Sequence, residues 1–337
     1  MKALSPLLAV LAIALFAFLG GQAHAGVVFL TAVVPYAAFA VFLFGFCYRV
    51  LRWAWIPVPF RIPTTCGQQK SLPWIKPASL ENPSTRWDAF RRMVLEILLF
   101  RSLFRNSRAR LHDDRLVLGK DRLLWLGALA FHWSLLVILL RHLRLFLQPV
   151  PVFLSALSRL DGVFQVGIPA LYISDVVILG ALLYLVAKRF CNPIVRYVSL
   201  PIDYLALFLL LGAVISGLLM RFVVRVDVVA IKEFALGLAV FHPVVTNAIT
   251  PMFLTHLLIV SALAAYFPFS KLMHMGGVFL SPTRNLANNN RSKRHVNPWN
   301  YPVKTHSYAE WEQEFRDKLK AAKLPLETED AGQTTGD

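Results

Sequence analysis

Four histidines lie within or at the edge of stretches made almost wholly of Leu, Ala, Phe and Val. His132 and His142 share one stretch, ten residues apart, and His256 and His274 share another, eighteen residues apart. An ionisable side chain at membrane depth is costly and usually marks a functional site. Imidazole nitrogens are also common axial ligands of haem iron. The spacing of the four histidines therefore decides which chemistry they could perform.

An ideal α-helix rises about 1.5 Å per residue. Eighteen residues complete five turns, so His256 and His274 share a face about 27 Å apart, whereas His132 and His142 are about 15 Å apart. In antiparallel helices, His132 meets His274 at one end and His142 meets His256 at the other. This arrangement predicts two b-type haems, each bound by one histidine from each helix. Pro268 predicts a kink that reduces the mismatch between the two spacings.

A single metal ion shared by a pair within one helix is excluded, because each ligand nitrogen must lie within about 2 Å of it. The other five histidines lie outside the apolar stretches or in polar sequence, and we predict that they are not ligands: His24, His112, His242, His295 and His306. The chain has three widely separated cysteines, Cys47, Cys66 and Cys191. An iron–sulfur cluster needs about four thiolates, so we expect none in this chain.

The elements that position the histidines follow from composition. The 337 residues are 57% hydrophobic and 16% charged, with a mean hydropathy of +0.56. Long apolar runs without alternation predict an all-α polytopic transmembrane helix bundle. We expect apolar spans at 4–19, 27–48, 123–149, 167–187, 204–220 and 249–267. Residues 1–25 are either a signal peptide with an Ala-x-Ala pattern or a first transmembrane helix, which gives five core helices or six.

Basic residues orient the bundle. The segment from Arg49 to Arg122 holds fifteen Lys or Arg and six Asp or Glu, so this loop should be cytoplasmic. The net charge of +16 then reflects topology and contact with anionic lipid, and a nucleic-acid partner is disfavoured. A basic amphipathic helix should start near Ser84 and lie on the membrane surface or dock a partner. A capping box at Ser307 predicts a tail helix to about Lys323.

The expected organisation follows the chain. Residues 26–50 form a transmembrane helix after the ambiguous 1–25 segment, and 51–122 form the basic cytoplasmic loop with its amphipathic helix. Residues 123–280 form the histidine-bearing helix bundle. Residues 281–337 form a short cytoplasmic tail.

Several strings resemble a known family. Phe131-His132 with His142, Thr255-His256, and Phe-Pro-Phe-Ser-Lys-Leu-Met-His ending at His274 resemble the cytochrome b (gamma) subunit of respiratory nitrate reductase. The resemblance covers about 123–280. Residues 60–74 and 281–286 resemble one branch of it, the membrane cytochromes b of complexes associated with sulfite reduction (the DsrM branch).

The resemblance implies a function for the bundle. His132 with His274, and His142 with His256, would be axial ligands of two haems b. Electrons would pass between a quinone or menaquinone pool near the outer haem and a cytoplasmic iron–sulfur subunit related to heterodisulfide reductase. The chain would be a multi-pass subunit of a membrane redox complex in dissimilatory sulfur metabolism, in a bacterial inner (cytoplasmic) membrane.

The chain departs from the nitrate reductase pattern at the outer end. Arg141 stands where that subunit has Gly, and no lysine occurs between 145 and 187, where its quinone-site lysine would fall. Family quinone contacts therefore do not transfer residue by residue. Charged residues at the outer end are candidates for quinone contact, and lipid headgroups are the alternative role for them: Arg141, Arg144, Arg159 and Asp161.

Three other functions remain open. A proton-coupled transporter could use the histidines as a relay, but it predicts inverted repeats, which the sequence does not show. A passive anchor would bind no cofactor. A nitrate reductase gamma subunit proper would share the haems but not the sulfur-linked partner. The direction of electron flow is open in all redox readings.

Overall fold

The computed structural model describes residues 2–56, 65–105, 107–112, 115–162, 169–246, 248–280, 285–291 and 304–327. Contacts divide the chain into a large unit, residues 1–57 with 62–292, and a small unit, residues 58–61 with 293–337. The large unit contains the helical bundle. The described part of the small unit contains one helix, which is treated by itself below.

The described part of the chain is nearly all helical. Its α-helices, in chain order, are α1 (Leu4–Gly20), α2 (His24–Val28), α3 (Val34–Ala54), α4 (Arg86–Leu99), α5 (Arg101–Phe104), α6 (Arg122–His142), α7 (Val152–Asp161), α8 (Ile173–Cys191), α9 (Pro193–Val198), α10 (Pro201–Leu219), α11 (Val228–Ala239), α12 (Pro251–Tyr266), α13 (His274–Leu280) and α14 (Tyr308–Ala321). Tight 3-10 turns or wide π turns continue several of these helices, at Phe29–Val33, Leu143–Leu145, Met220–Val224, Phe267–Phe269 and Lys271–Met273.

Four helical stretches among the described residues are long and apolar enough to cross a membrane: His24–Ala54, Arg122–Leu145, Pro201–Val224 and Pro251–Phe269. Helix α1 is a shorter apolar helix. Crossing the hydrocarbon takes about 20 apolar residues per helix, and a helix satisfies its own backbone there. The chain is therefore a multi-pass membrane protein, and the predicted all-α transmembrane bundle is confirmed.

Helix α8 occupies the position of the span expected at 167–187. It begins at Ile173 and carries Asp175, Lys188 and Arg189 near its ends, so it is less apolar than the four stretches above. Residues 167 and 168 of the expected span lie outside the described residues. The middle of α8 packs against α6 and α10, which makes it an integral helix of the bundle.

The bundle is held by a chain of neighbouring contacts. Helix α6 packs on α8, α8 on α10, and α10 on α12, while α12 also receives α1 and α3. Large side chains fill the junctions: Phe131 and Leu182 lie in one buried cluster, and Phe208 and Ile259 in another. The two helices that carry the histidines are thus connected through α8 and α10.

Ion pairs join the helices at the inner end of the bundle, where α6 and α10 begin and α8 and α12 end. Lys188 pairs with Asp121 at 2.5 Å, Lys271 pairs with Asp203 at 2.7 Å, and Arg189 lies 3.6 Å from Asp203. Because these charges gather at one level, they mark the polar boundary of the apolar bundle. The sequence predicts that this boundary faces the cytoplasm.

The last transmembrane helix breaks where Pro268 stands. Helix α12 ends at Tyr266, two short 3-10 turns follow, and α13 starts at His274. Between the turns, the Ser270 hydroxyl accepts a hydrogen bond from the amide N–H of Leu272. Proline lacks the N–H that an uninterrupted helix needs, so the break has a local cause. His256 and His274 therefore do not lie on one ideal helix, which confirms the predicted kink.

The loop between α3 and α6 contains a β-hairpin that the sequence analysis did not predict. Strand β1 (Ser107–His112) pairs antiparallel with β2 (Arg115–Lys120), from Ser107 opposite Lys120 to His112 opposite Arg115. The first strand reads Ser-Arg-Ala-Arg-Leu-His and lacks the apolar alternation that reveals a half-buried strand. Backbone pairing between the two strands is what defines it.

The amphipathic helix of this loop docks on its own chain. Helix α4 begins at Arg86, close to the predicted start, and its last turn meets α6. The indole N–H of Trp125 donates to the Leu99 carbonyl at 2.7 Å, and that of Trp133 donates to the Leu98 carbonyl at 3.1 Å. These bonds satisfy carbonyls that a helix end otherwise leaves without partners. The C-terminal end of α4 is therefore fixed to the bundle.

The tail helix α14 has the capping box that the sequence predicts. The amide of Glu310 donates to the Ser307 hydroxyl at 3.3 Å, and the amide of Ser307 donates to the Glu310 carboxylate at 2.9 Å. The helix ends at Ala321, close to the expected end at Lys323. Residues 328–337 lie outside the described part of the chain.

Helices α6 and α8 approach closely at Gly127, and a substitution there tests this packing. A Cβ at Gly127 would lie 2.5 Å from Tyr184 Cδ1, whereas a Cβ at Gly180 of α8 would meet nothing within 4 Å. We expect Gly127→Ala to destabilise the bundle by about 1–3 kcal/mol through overpacking. Gly180→Ala, the matched control, should leave stability unchanged or raise it slightly. Thermal unfolding in detergent measures both, and equal midpoints would contradict the packing described here.

Candidate functional site

One histidine of α6 contacts a histidine that follows the break after α12. The ring centroids of His132 and His274 are 5.9 Å apart, and the ring planes make an angle of 82°. His132 lies in the middle of α6, and His274 is the first residue of α13. Two residues separated by 142 positions in the chain thus meet, and this pair lies nearer the inner end of the bundle than His142 and His256 do.

The other two histidines lie toward the outer end. His142 is the last residue of α6, and His256 lies in the first half of α12. Both therefore lie at the end of the bundle opposite the α13 residue His274.

Each of the four rings is held through its Nδ1 atom. In His132, His142 and His274, Nδ1 lies 2.8 Å from a backbone carbonyl oxygen three or four residues earlier: Ala128, Ile138 and Lys271, respectively. In His256, Nδ1 lies 2.9 Å from the Ser216 hydroxyl of α10. A carbonyl oxygen can only accept, so Nδ1 carries the proton in those three rings. The Nε2 atom is then the nitrogen that carries a free lone pair.

This geometry fits haem iron. Metal-ligating histidines almost always donate their other ring N–H to a carbonyl, carboxylate or hydroxyl, which sets the tautomer and the ring orientation. Two metal–nitrogen bonds of about 2 Å, plus about 1 Å from each nitrogen to its ring centre, place two opposed imidazoles roughly 6 Å apart. The His132 and His274 rings are 5.9 Å apart. The donor set therefore fits an iron that needs two protein ligands.

An ion held by protein side chains alone fits less well. Among the described residues, no group of three or more His, Cys, Asp or Glu side chains could hold a metal ion. A structural zinc site uses about four such ligands. Haem iron takes four nitrogens from the porphyrin and at most two from protein, so two histidines at each level suffice.

Aromatic side chains surround the inner pair. Phe131 and Phe100 each meet the His132 ring edge-on, with centroids 4.9 Å apart. Phe100 joins α4 to α5 and has φ of 49°, a left-handed conformation that is uncommon for a bulky residue. The docked end of α4 thus places an aromatic ring beside His132.

A buried charged cluster lies beside the outer pair. The Arg141 guanidinium contacts Asp161 at 2.8 Å, Ser174 at 3.0 Å and Asp175 at 3.4 Å. It also lies over the Tyr172 ring, 3.2 Å from the centroid. The backbone N–H and hydroxyl of Ser174 donate to the Asp161 carboxylate as well. Arg141, which immediately precedes His142, is therefore tied to α7 and to the start of α8.

The four charged residues that the sequence indicates as quinone or headgroup contacts fall into two groups in the structure. Asp161 is buried and is bound to Arg141, of whose side chain 13% is exposed, whereas Arg144 and Arg159 are exposed. Sequence analysis missed further members that the fold adds: Tyr172, Ser174, Asp175 and Arg221, whose guanidinium lies 4.2 Å from the Tyr172 centroid. Their only sequence signal is charge at the ends of apolar runs, which is equally typical of headgroup contacts.

Breaking the buried ion pair should destabilise the bundle. In Asp161→Asn, Arg141 loses its nearest carboxylate and Ser174 loses a charged acceptor, so we expect a loss of about 3 kcal/mol. Arg159→Gln is the control, because Arg159 lies on the same helix but is exposed. It should stay within about 0.5 kcal/mol of the wild type. Thermal unfolding in detergent measures both changes, and an unaltered midpoint for Asp161→Asn would argue against this network.

Comparison with known proteins agrees with this site. Residues 87–291 match the model of the nitrate reductase gamma subunit family. The chain is 48% identical over 281 residues to the Hdr-like menaquinol oxidoreductase cytochrome b-like subunit of Archaeoglobus fulgidus, covering 81% of this chain and 84% of that protein. It is 44% identical over 276 residues to the subunit of the same name from Archaeoglobus profundus, covering 79% and 81%. The chain belongs to the nitrate reductase gamma subunit family.

Proposed function

We propose that this chain is the dihaem b membrane subunit of a redox complex and carries electrons between a menaquinone pool and a cytoplasmic iron–sulfur partner. The observation that supports it most is the opposed pair His132 and His274, with ring centroids 5.9 Å apart and both Nδ1 atoms engaged. Two haems b bound at the two histidine levels would supply one-electron carriers across the apolar bundle.

The chain's own residues would bind and orient these haems. His132 and His274 would hold the inner one, and His142 and His256 the outer one. Hydrogen bonds at Nδ1 present Nε2 and make the imidazoles better donors. Phe100 and Phe131 limit water at the inner level. A low-dielectric surrounding of this kind is one of the levers by which a protein sets a haem potential.

The curated relatives support the proposed partner and substrate. Their names describe a menaquinol oxidoreductase, which supports menaquinol as the exchangeable electron donor. The same names carry the term Hdr-like, which supports a partner related to heterodisulfide reductase. The basic loop and the docked α4 lie at the inner end, where an electron would leave for that partner. These relatives also favour an Hdr-like subunit over a nitrate reductase subunit proper.

A role in dissimilatory sulfur metabolism rests on narrower ground. It depends on the resemblance of residues 60–74 and 281–286 to the DsrM branch, and residues 60–64 and 281–284 lie outside the described part of the chain. We place the protein in the cytoplasmic membrane by the distribution of basic loops. The two relatives come from archaea, so this membrane need not be bacterial.

Quinone exchange would take place at the outer end. Arg144 and Arg159 are exposed there and are free to meet a quinone headgroup. Arg141 is already neutralised by Asp161 and Asp175, so it would anchor the segment around His142 instead of binding quinone directly. Protons from quinol would then be released on the outer side.

Histidine variants test the haem assignment. The wild-type protein, purified in detergent, should show two haems b per chain in a reduced-minus-oxidised spectrum and a pyridine haemochrome assay. His132→Ala and His274→Ala should each lose the same inner haem, and His142→Ala and His256→Ala the outer one. His242→Ala is the control because His242 is exposed and outside the bundle helices. A folded wild-type protein without a b-type band would refute the proposal, as would losses that do not pair.

Electron entry has its own test. A reduced menaquinone analogue should reduce the haems of the wild-type protein, measured by stopped-flow absorbance. Loss of the outer haem in His142→Ala should slow reduction of the inner haem at least tenfold, because the entry point is removed. His132→Ala should leave reduction of the outer haem intact. Fast reduction of the inner haem in His142→Ala would place the quinone site elsewhere.

A further inference from the structure

Ser216 of α10 differs from the other hydrogen-bond partners of the four histidines. Three rings bond to backbone carbonyls of their own helical segment, whereas His256 bonds to α10, at the Ser216 hydroxyl forty residues away and at the Ala213 carbonyl. The Ser216 side chain is buried, with 4% of its surface exposed. This bond joins the outer ligand to α10.

The hydrogen-bond directions around Ser216 follow from its other contacts. The Ser216 Oγ lies 2.7 Å from the Gly212 carbonyl and 3.1 Å from the Ala213 carbonyl. A carbonyl only accepts, so the hydroxyl proton goes to the backbone and the oxygen lone pairs face His256. Nδ1–H of His256 donates to that oxygen, which leaves Nε2 as the free lone pair.

The next residue keeps space beside the ring. A Cβ at Gly217 would lie 3.5 Å from His256 Cε1 and 3.8 Å from Nδ1. Ser216 thus offers a hydrogen-bond acceptor to the imidazole, and Gly217, which has no side chain, leaves room beside the ring.

We infer that Ser216 is a positioning residue that fixes the tautomer and orientation of His256 and lowers the reduction potential of the outer haem. The inference rests on the proposed function, since it requires haem at the outer level. Hydrogen bonding at Nδ1–H raises the basicity of a ligating imidazole. A more basic ligand favours the more highly charged, oxidised iron. Successive hydrogen bonds from His256 through Ser216 to Gly212 polarise one another and strengthen the effect.

The test is a redox titration of the full-length protein in detergent, followed at the b-type absorbance band. In Ser216→Ala, His256 loses the hydroxyl acceptor, and the outer haem should become easier to reduce by roughly tenfold in the equilibrium constant, about 59 mV for a one-electron couple. The inner haem should not change. The outer haem is identified as the one that His142→Ala removes.

Ser134 offers a matched control. It is buried on α6 with 5% of its surface exposed, and its hydroxyl donates to the Ala130 and Phe131 carbonyls without contacting a histidine. Ser134→Ala removes the same atom from a similar helical environment. It should leave both potentials unchanged, and a shift equal to that of Ser216→Ala would overturn the inference.

A second pair of variants separates the hydroxyl from packing. Ser216→Thr and Ser216→Val have nearly the same shape, but only threonine retains the acceptor. We expect the outer haem of Ser216→Thr to keep a reduction potential near that of the wild type. In Ser216→Val the potential should rise as it does in Ser216→Ala. Loss of the outer haem alone in Ser216→Ala, with rescue in Ser216→Thr, supports the same role. Equal behaviour of the threonine and valine variants would refute it.

The outcomes distinguish this inference from the proposed function. A folded wild-type protein without b-type absorbance would remove the proposed function and the inference together. A wild-type protein with two haems, in which Ser216→Ala leaves both potentials unchanged, would remove the inference alone. A shift confined to the haem that His132→Ala removes would also remove the inference alone.

Discussion

The bundle depends on one constraint: imidazoles on antiparallel helices must face each other at the same depth. His132 and His274 satisfy it with ring centroids 5.9 Å apart, and His142 and His256 lie toward the opposite end of the same helices. An unbroken helix would put His256 and His274 about 27 Å apart, much farther than the pair on α6. The helix is interrupted at Pro268, so the ideal spacing does not apply to this pair.

Charges at both ends fix the depth of the histidines. Asp121, Asp203 and their basic partners join four helices at the inner end, and Arg141 joins three segments at the outer end. Buried pairs add little net stability, but removing one partner is costly, so such clusters specify register. Between them lies an apolar interior in which a cofactor would be shielded from water. This division suits an electron path better than a polar channel.

Much of this could be read from the chain. Apolar length predicted the helices, the basic loops predicted an orientation, and helical periodicity with antiparallel topology predicted which histidines meet. Thr255-His256 and the string ending at His274 pointed to the family that comparison then showed. The hairpin at 107–120 was missed, because its first strand has no apolar alternation. Docking of α4 on α6 was also missed, since amphipathicity alone does not name the surface that a helix covers.

The local sequence pattern determined the type of each element, the helix ends and the histidines that are candidates for haem ligation. It could do so because apolar runs, proline and capping residues act within a few positions. Tertiary structure alone decided the partners of those residues. Ser216 reaches His256 across forty positions, Phe100 meets His132, and Tyr172 lies between two arginines. Such contacts arise from helix packing and rotation, which depend on the combined shape of many side chains. No single stretch of sequence contains that information.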